Sequence, residues 1–137
     1  MGSGSANVAF TAPQQQASLA ARELDSDRRG FAEGISLLRM GAFVSHKFEE
    51  GRLWVERSIQ NGAQRVGEHR AQTLLEGDSA LRERAIALRG KVAAYSLSSH
   101  SPAETNAIER EGNSFFDEAA AYLGSEPPGG SPRGKKS

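Results

Sequence analysis

The chain has 137 residues, balances 17 basic against 17 acidic side chains, and contains no cysteine. This length suits a single domain, and the balanced charge provides no long-range field to draw nucleic acid or an anionic membrane to the whole surface. Without cysteine, disulfide scaffolds and thiolate zinc sites are excluded. No apolar run reaches the roughly 18 residues that a membrane span needs, so we expect a soluble, cytoplasmic protein with no membrane span.

Both ends of the chain differ in composition from its middle. Gly, Ser and Pro dominate "MGSGSA" and "GSEPPGGSPRGKKS", and such segments contain too little apolar surface to join a core. We therefore expect a disordered leader over residues 1–11, a helical domain over 12–124, and a disordered basic tail over 125–137.

Two helices are predicted in the first third of the chain. Thr11-Ala12-Pro13-Gln14 resembles a capping box, in which side chains at the two ends satisfy free backbone amides. Asp25, Ser26 and Asp27 can break this first helix and cap a second one. The apolar residues that follow the two starts are Ala17, Leu19, Ala20, Ala21 and Leu24, and then Phe31, Ile35, Leu38 and Ala42.

The stretch "FVSHKFEEGRLWVERS", residues 43–58, fits two periodicities. A hairpin over residues 42–59 would turn at Gly51, where glycine supplies a positive φ. A helix would cost about 1 kcal/mol at each of Gly51 and Gly62, but the apolar spacing continues in helical step beyond residue 59. The helical stripe consists of Val55, Ile59, Ala63, Val66 and Leu74.

The arms of the alternative hairpin, "AFVSHKF" and "RLWVERSI", resemble the first hairpin of pleckstrin-homology domains. In that family a basic strand, a turn and a second strand surround a lipid phosphate. The resemblance implies phosphoinositide binding through Lys47, Arg52 and Arg57. It is confined to this hairpin, because the family continues with further strands whereas this sequence continues with helical spacing.

Two later helices have clear starts. Asp78 or Ser79 can cap the first of them. Ser101-Pro102-Ala103-Glu104 is a complete capping box with proline at the first helical position, and it predicts a helix over 102–123. The expected fold is therefore all-α, a small bundle of four to five helices, with an α+β fold containing the 42–59 hairpin as the alternative. The two apolar stripes are Leu81, Ala85, Leu88, Val92 and Tyr95, and then Ile108, Gly112, Phe115, Ala119 and Tyr122 or Leu123.

Side chains that could perform chemistry are sparse. His46 and Glu50 would share a helix face, but a metal site needs more ligands than two. Glu68 and His69 are adjacent and so point to different sides, and His100 lies in a serine-rich stretch. No nucleophile elbow or glycine-rich phosphate loop occurs. We expect no catalytic residue, no cofactor and no metal site.

Positive charge on the predicted third and fourth helices is interleaved with acidic residues. This pattern is typical of a solvated face with intrahelical ion pairs, each worth a few tenths of a kcal/mol, rather than of a phosphate-binding groove. The sequence therefore contains no strong nucleic-acid signal. The basic residues concerned are Arg65, Arg70, Arg82, Arg84, Arg89 and Lys91.

The remaining interpretation is a non-catalytic protein–protein interaction or adaptor module, or a subunit of a larger assembly. Its partner would be another protein or an identical subunit. Phe43, Phe48 and Trp54 are the candidate partner-binding residues, since aromatic side chains at the centre of an interface often dominate its binding energy. The competing interpretation places these three aromatic side chains in the core.

Overall fold

The computed structural model describes residues 13–73 and 79–125, and within them the chain forms four α-helices and no strand. The predicted all-α bundle is confirmed. The predicted leader over 1–11, the predicted tail apart from Ser125, and also Leu74 and Asp78 lie outside the described residues. The helices are α1 (Pro13–Met40), α2 (Ser45–Thr73), α3 (Ser79–Ala94) and α4 (Pro102–Ser125).

Helix α1 is continuous through residues 25–27, so the predicted break there is wrong. No Gly or Pro occurs at these positions, and Asp25 forms an ion pair with Arg29 one turn later, with 2.8 Å between Oδ2 and Nη1. Leu24 and Phe31, two turns apart, are both buried. Burial of one continuous apolar face outweighs the local capping preference of these polar residues.

Residues 45–73 form one helix, so the helical interpretation of this stretch is confirmed and the alternative hairpin is wrong. The chain reverses at residues 41–44, where the Gly41 amide donates to the Leu37 carbonyl over 2.8 Å. Phe48, Val55 and Ile59 are buried at helical spacing on α2. The likeness to pleckstrin-homology domains therefore has no hairpin to support it.

Helices α1 and α2 pack so closely that their backbones touch at Gly34 and Gly51. A Cβ atom on Gly34 would lie 2.6 Å from Val55 Cγ2 and 2.9 Å from the Gly51 carbonyl oxygen. A Cβ atom on Gly51 would lie 2.7 Å from the Gly34 carbonyl oxygen. Only residues without a Cβ allow this approach, and the close contact gains dispersion energy that offsets the low helix propensity of glycine.

One core lies between the four helices, and phenylalanine rings form its centre. Phe31 and Phe116 are 5.6 Å apart between ring centroids, and Phe115 and Phe116 are 5.1 Å apart. The Phe31 ring occupies the space where a side chain on Gly112 would stand. The other buried apolar residues are Leu24, Ile35, Leu38, Phe48, Val55, Ile59, Val66, Leu81, Ala85, Leu88, Val92, Tyr95, Ile108, Ala119 and Leu123.

The predicted capping box at the start of α4 is confirmed. The Glu104 amide donates to Ser101 Oγ over 3.2 Å, and the Ser101 amide donates to Glu104 Oε1 over 3.0 Å. These two bonds satisfy donors that the first turn of a helix otherwise leaves free. They also fix where the connection from α3 ends and α4 begins.

Candidate functional site

The three aromatic residues predicted to bind a partner lie in different environments. Phe43 is 87% exposed in the α1–α2 connection, and Trp54 is 37% exposed on α2. Phe48 is only 1% exposed. The structure therefore divides the set into two surface residues and one core residue, and Phe48 cannot serve as an exposed anchor.

Phe48 is buried because it joins α2 to the connection between α3 and α4. Its ring stacks on Tyr95 at 5.8 Å between centroids and lies 5.1 Å from the ring of His100. Tyr95 and Thr105 share a buried hydrogen bond between their hydroxyl groups, and burial raises the pKa of Tyr95. This cluster closes one end of the core.

An exposed apolar surface lies at that same end of the bundle. We define the apolar tip as Met40, Phe43 and Val44, of which Met40 is 48% exposed and Val44 36% exposed. Leu97, in the α3–α4 connection, is also exposed. The two connections share one end of the bundle because Phe48 packs under the tip and also contacts Tyr95.

Trp54 lies beside the line of contact between α1 and α2. A Cβ atom on Gly30 would meet the edge of the indole, 3.5 Å from Trp54 Cε3 and 3.8 Å from Cζ3. The indole therefore rests against the glycine backbone of α1, and more than a third of the residue faces solvent. Leu53, its neighbour in sequence, is exposed as well.

Met40, Val44, Leu53 and Leu97 were not among the residues predicted for the site. Met40 lies outside the apolar stripe of α1, which contains Phe31, Ile35 and Leu38. Its position outside this stripe could have indicated an exposed side chain, because an apolar residue off the stripe points away from the core.

The histidines are separated in space and in environment. His46 and Glu50 are exposed on α2, and Glu50 lies 3.8 Å from the Lys47 ammonium. His100 places Nδ1 3.0 Å from the carbonyl oxygen of Ser96. Within residues 13–73 and 79–125 no group of three or more His, Cys, Asp or Glu residues is arranged to hold a metal ion.

Several ion pairs connect different helices, whereas the charge pattern predicted pairs within single helices. Lys91 on α3 binds Glu111 on α4, with 2.9 Å between Nζ and Oε2, and Arg84 on α3 binds Glu118 on α4. Arg65 on α2 lies 3.2 Å from Glu23 Oε1 on α1. These cations connect neighbouring helices.

A partly buried charge lies beside the α1–α2 contact. Asp27 is buried, and its Oδ2 lies 3.4 Å from Arg65 Nε, within ion-pair distance but without hydrogen-bond geometry. Burial raises the pKa of Asp27, while the Arg65 charge and a hydrogen bond from Asn61 act in the opposite direction. The Glu23 carboxylate, which lies 3.2 Å from the same Arg65 nitrogen, acts with burial to raise the pKa of Asp27, and the group links the two helices.

His69 is buried near the far end of α2, where α4 packs against it. Its ring meets the Tyr122 ring edge-on at 5.6 Å between centroids, and the Arg70 guanidinium lies 4.5 Å from the centre of the same Tyr122 ring. Burial, and then the Arg70 charge, lower the pKa of His69 from its ordinary 6.5. The histidine is therefore neutral in the folded protein at neutral pH.

We expect acid to destabilise the protein through His69. Because its folded pKa lies below its unfolded value of 6.5, the unfolded chain takes up a proton first, and stability is lost as the pH falls below that value. Thermal unfolding of the wild type and of His69→Gln at about pH 8 and about pH 5 measures the effect. The wild type should lose more stability than the variant, and parallel losses would show that His69 does not contribute.

No protein-family model, curated protein or solved structure matches this chain. Among the helices in the described part of the chain, none is long and apolar enough to cross a membrane. Functional conclusions for this protein therefore come from its own side chains, above all from the apolar tip and Trp54.

Proposed function

We propose that this protein is a non-catalytic protein–protein interaction module whose apolar tip and Trp54 contact another protein or an identical subunit. The observation that carries the proposal is the 87% exposure of Phe43. Full burial of a large apolar side chain is favourable by about 1.5–3 kcal/mol. Folding buries little of the Phe43 ring, so nearly all of this free energy is still available for binding. A partner that covers the ring would use it.

The tip is held in place before any partner arrives. The Phe43 amide donates to the Met40 carbonyl over 3.0 Å, and the Phe48 amide donates to the Val44 carbonyl over 3.1 Å. Phe48 itself is fixed in the core. A short connection anchored on both sides loses little conformational entropy on binding, so more of the contact energy contributes to affinity.

The charges near the tip favour an apolar pocket on a partner protein. Arg39 is bound to Glu109 over 2.7 Å and to Asn106 over 2.6 Å. Lys47 lies 3.8 Å from Glu50. Because both cations have partners within the protein, they offer little attraction to an anionic surface, and the exposed aromatic and aliphatic groups are the main source of binding energy.

Site-specific photo-crosslinking tests this surface. A photoreactive phenylalanine analogue replaces Phe43 in one variant and Ile86 in the other, because Ile86 is 57% exposed on α3 and serves as a matched apolar control. We expect a discrete adduct from position 43, with a second copy in purified protein or with another chain in native extract, and little from position 86. Equal yields from both positions, or no adduct from position 43, would contradict the proposal.

A further inference from the structure

A second surface, separate from the apolar tip, lies in a groove between α3 and α4. The groove has a volume of about 360 Å³, which is within the range of small-molecule sites. Ala87 supplies exposed apolar surface from α3 beside the buried Leu88, and the aliphatic stems of arginine side chains can extend it. The lining residues are Arg84, Ala87, Leu88, Arg110, Glu111 and Ser114.

Contacts between the two helices hold Arg84 on one wall of the groove. One of its terminal nitrogens binds the Glu118 carboxylate, and the other lies 3.0 Å from Ser114 Oγ. The Glu118 carboxylate therefore compensates the Arg84 charge. The guanidinium plane has a fixed orientation before any ligand enters.

The acidic residue of the lining is also compensated. The Lys91 ammonium lies 3.0 Å and 2.9 Å from the two carboxylate oxygens of Glu111. By contrast, the Arg110 side chain forms no hydrogen bond or ion pair with any residue in the ranges 13–73 and 79–125. After these pairs are accounted for, Arg110 provides the uncompensated charge of the groove.

We propose that this groove binds a small amphiphilic carboxylate, with its charged group at Arg110 and its alkyl body over Ala87 and the aliphatic stem of Arg84. Arginine offers a fork of donors that matches the two oxygens of a carboxylate. A single uncompensated cation suits a monoanion, because a doubly charged phosphate would meet Glu111 and Glu118 with its second charge unneutralised. The apolar surface selects for an alkyl chain rather than for a free anion.

Octanoate is the probe for this site, titrated into the full chain while backbone amide resonances are followed by NMR. We expect saturable shifts that centre on Ala87, Arg110 and Ser114. Acetate carries only the charged group and 1-octanol only the chain and a neutral hydroxyl, so each should bind at least tenfold more weakly than octanoate. Acetate loses the burial of the alkyl chain, and 1-octanol loses roughly one charge-assisted contact.

Two variants separate a specific site from general surface adsorption. Arg110→Gln should weaken octanoate binding roughly tenfold, and Arg110→Lys should recover part of the loss. Arg82→Gln, at an exposed α3 position outside the lining, should bind like the wild type. Arg110 has no hydrogen-bond or ion-pair partner among the described residues, so thermal unfolding of both glutamine variants should match that of the wild type.

Several outcomes would overturn the proposal. They are shifts that do not saturate, shifts that centre outside the α3–α4 groove, 1-octanol binding as tightly as octanoate, and equal affinities of the wild type and Arg110→Gln. None of these results bears on the apolar tip, because the groove is formed by α3 and α4 whereas the tip lies at the end of α1 and in the α1–α2 connection.

Discussion

Phe48→Ala should lower the free energy of unfolding by about 3–5 kcal/mol, as expected for loss of a fully buried phenylalanine. Phe48 is 1% exposed and its ring packs on Tyr95 and His100. Phe43→Ala should change stability by less than about 0.5 kcal/mol, because the ring is already in solvent. The two phenylalanines are five positions apart, and the expected effects differ because only one of them contributes to the core.

Urea denaturation followed by circular dichroism measures both variants on one scale. The wild type and Phe43→Ala should unfold at nearly the same urea concentration, and Phe48→Ala at a much lower one. Similar losses from the two substitutions would mean that Phe43 is packed in solution and that the tip is not exposed.

Gly51→Ala should destabilise the protein by roughly 1–3 kcal/mol, as overpacked sites do. The added Cβ would lie 2.8 Å from Leu37 Cβ and 2.7 Å from the Gly34 carbonyl oxygen, so α1 and α2 would have to separate. Alanine has a higher helix propensity than glycine by about 1 kcal/mol. The expected loss therefore occurs despite a local gain.

Gly67→Ala is the matched control on the same helix. Apart from its sequence neighbours and the backbone of its own helix, no heavy atom of the described residues lies within 4 Å of the position that its Cβ would occupy. This substitution should stabilise the protein by about 0.5–1 kcal/mol, through helix propensity alone. Thermal unfolding should thus show opposite signs for the two alanine variants, and a gain for both would rule out the close contact of α1 with α2.

Much of the architecture could be predicted from local signals. The start of α4 follows from the capping box at Ser101 and Glu104, which needs only neighbouring residues. The apolar stripes of α3 and α4 have helical spacing and are buried as predicted. Such features depend on interactions between residues that are close in the sequence, so the sequence alone is enough to predict them.

The errors arose where a distant segment decides the outcome. Residues 25–27 carry capping side chains, yet α1 continues because its two halves pack on one core. The apolar spacing beyond residue 59 favoured the helix over the hairpin, but only the contact of Gly51 with Gly34 shows why glycine stands there. Ion pairs such as Lys91 with Glu111 join helices whose relative placement the sequence does not specify.

The division of the aromatic residues depends on the choice between helix and hairpin. Once residues 45–73 are helical, Phe48 and Val55 lie on nearly the same face because they are two turns apart. Trp54 is then turned about 100° away from Val55, toward the edge of the buried face. Exposure of Phe43 follows from its position in the four-residue connection after α1.

The central claim, that Phe43 anchors a partner, is tested most directly by the dissociation constant of the complex. Sedimentation equilibrium provides it for self-association, and titration calorimetry provides it for a partner captured through position 43. Phe43→Ser should weaken association about 30-fold or more, equivalent to about 2 kcal/mol, and the control Ile86→Ser should stay within about threefold of the wild type. Wild-type affinity in Phe43→Ser, or an equal loss in Ile86→Ser, would contradict the claim.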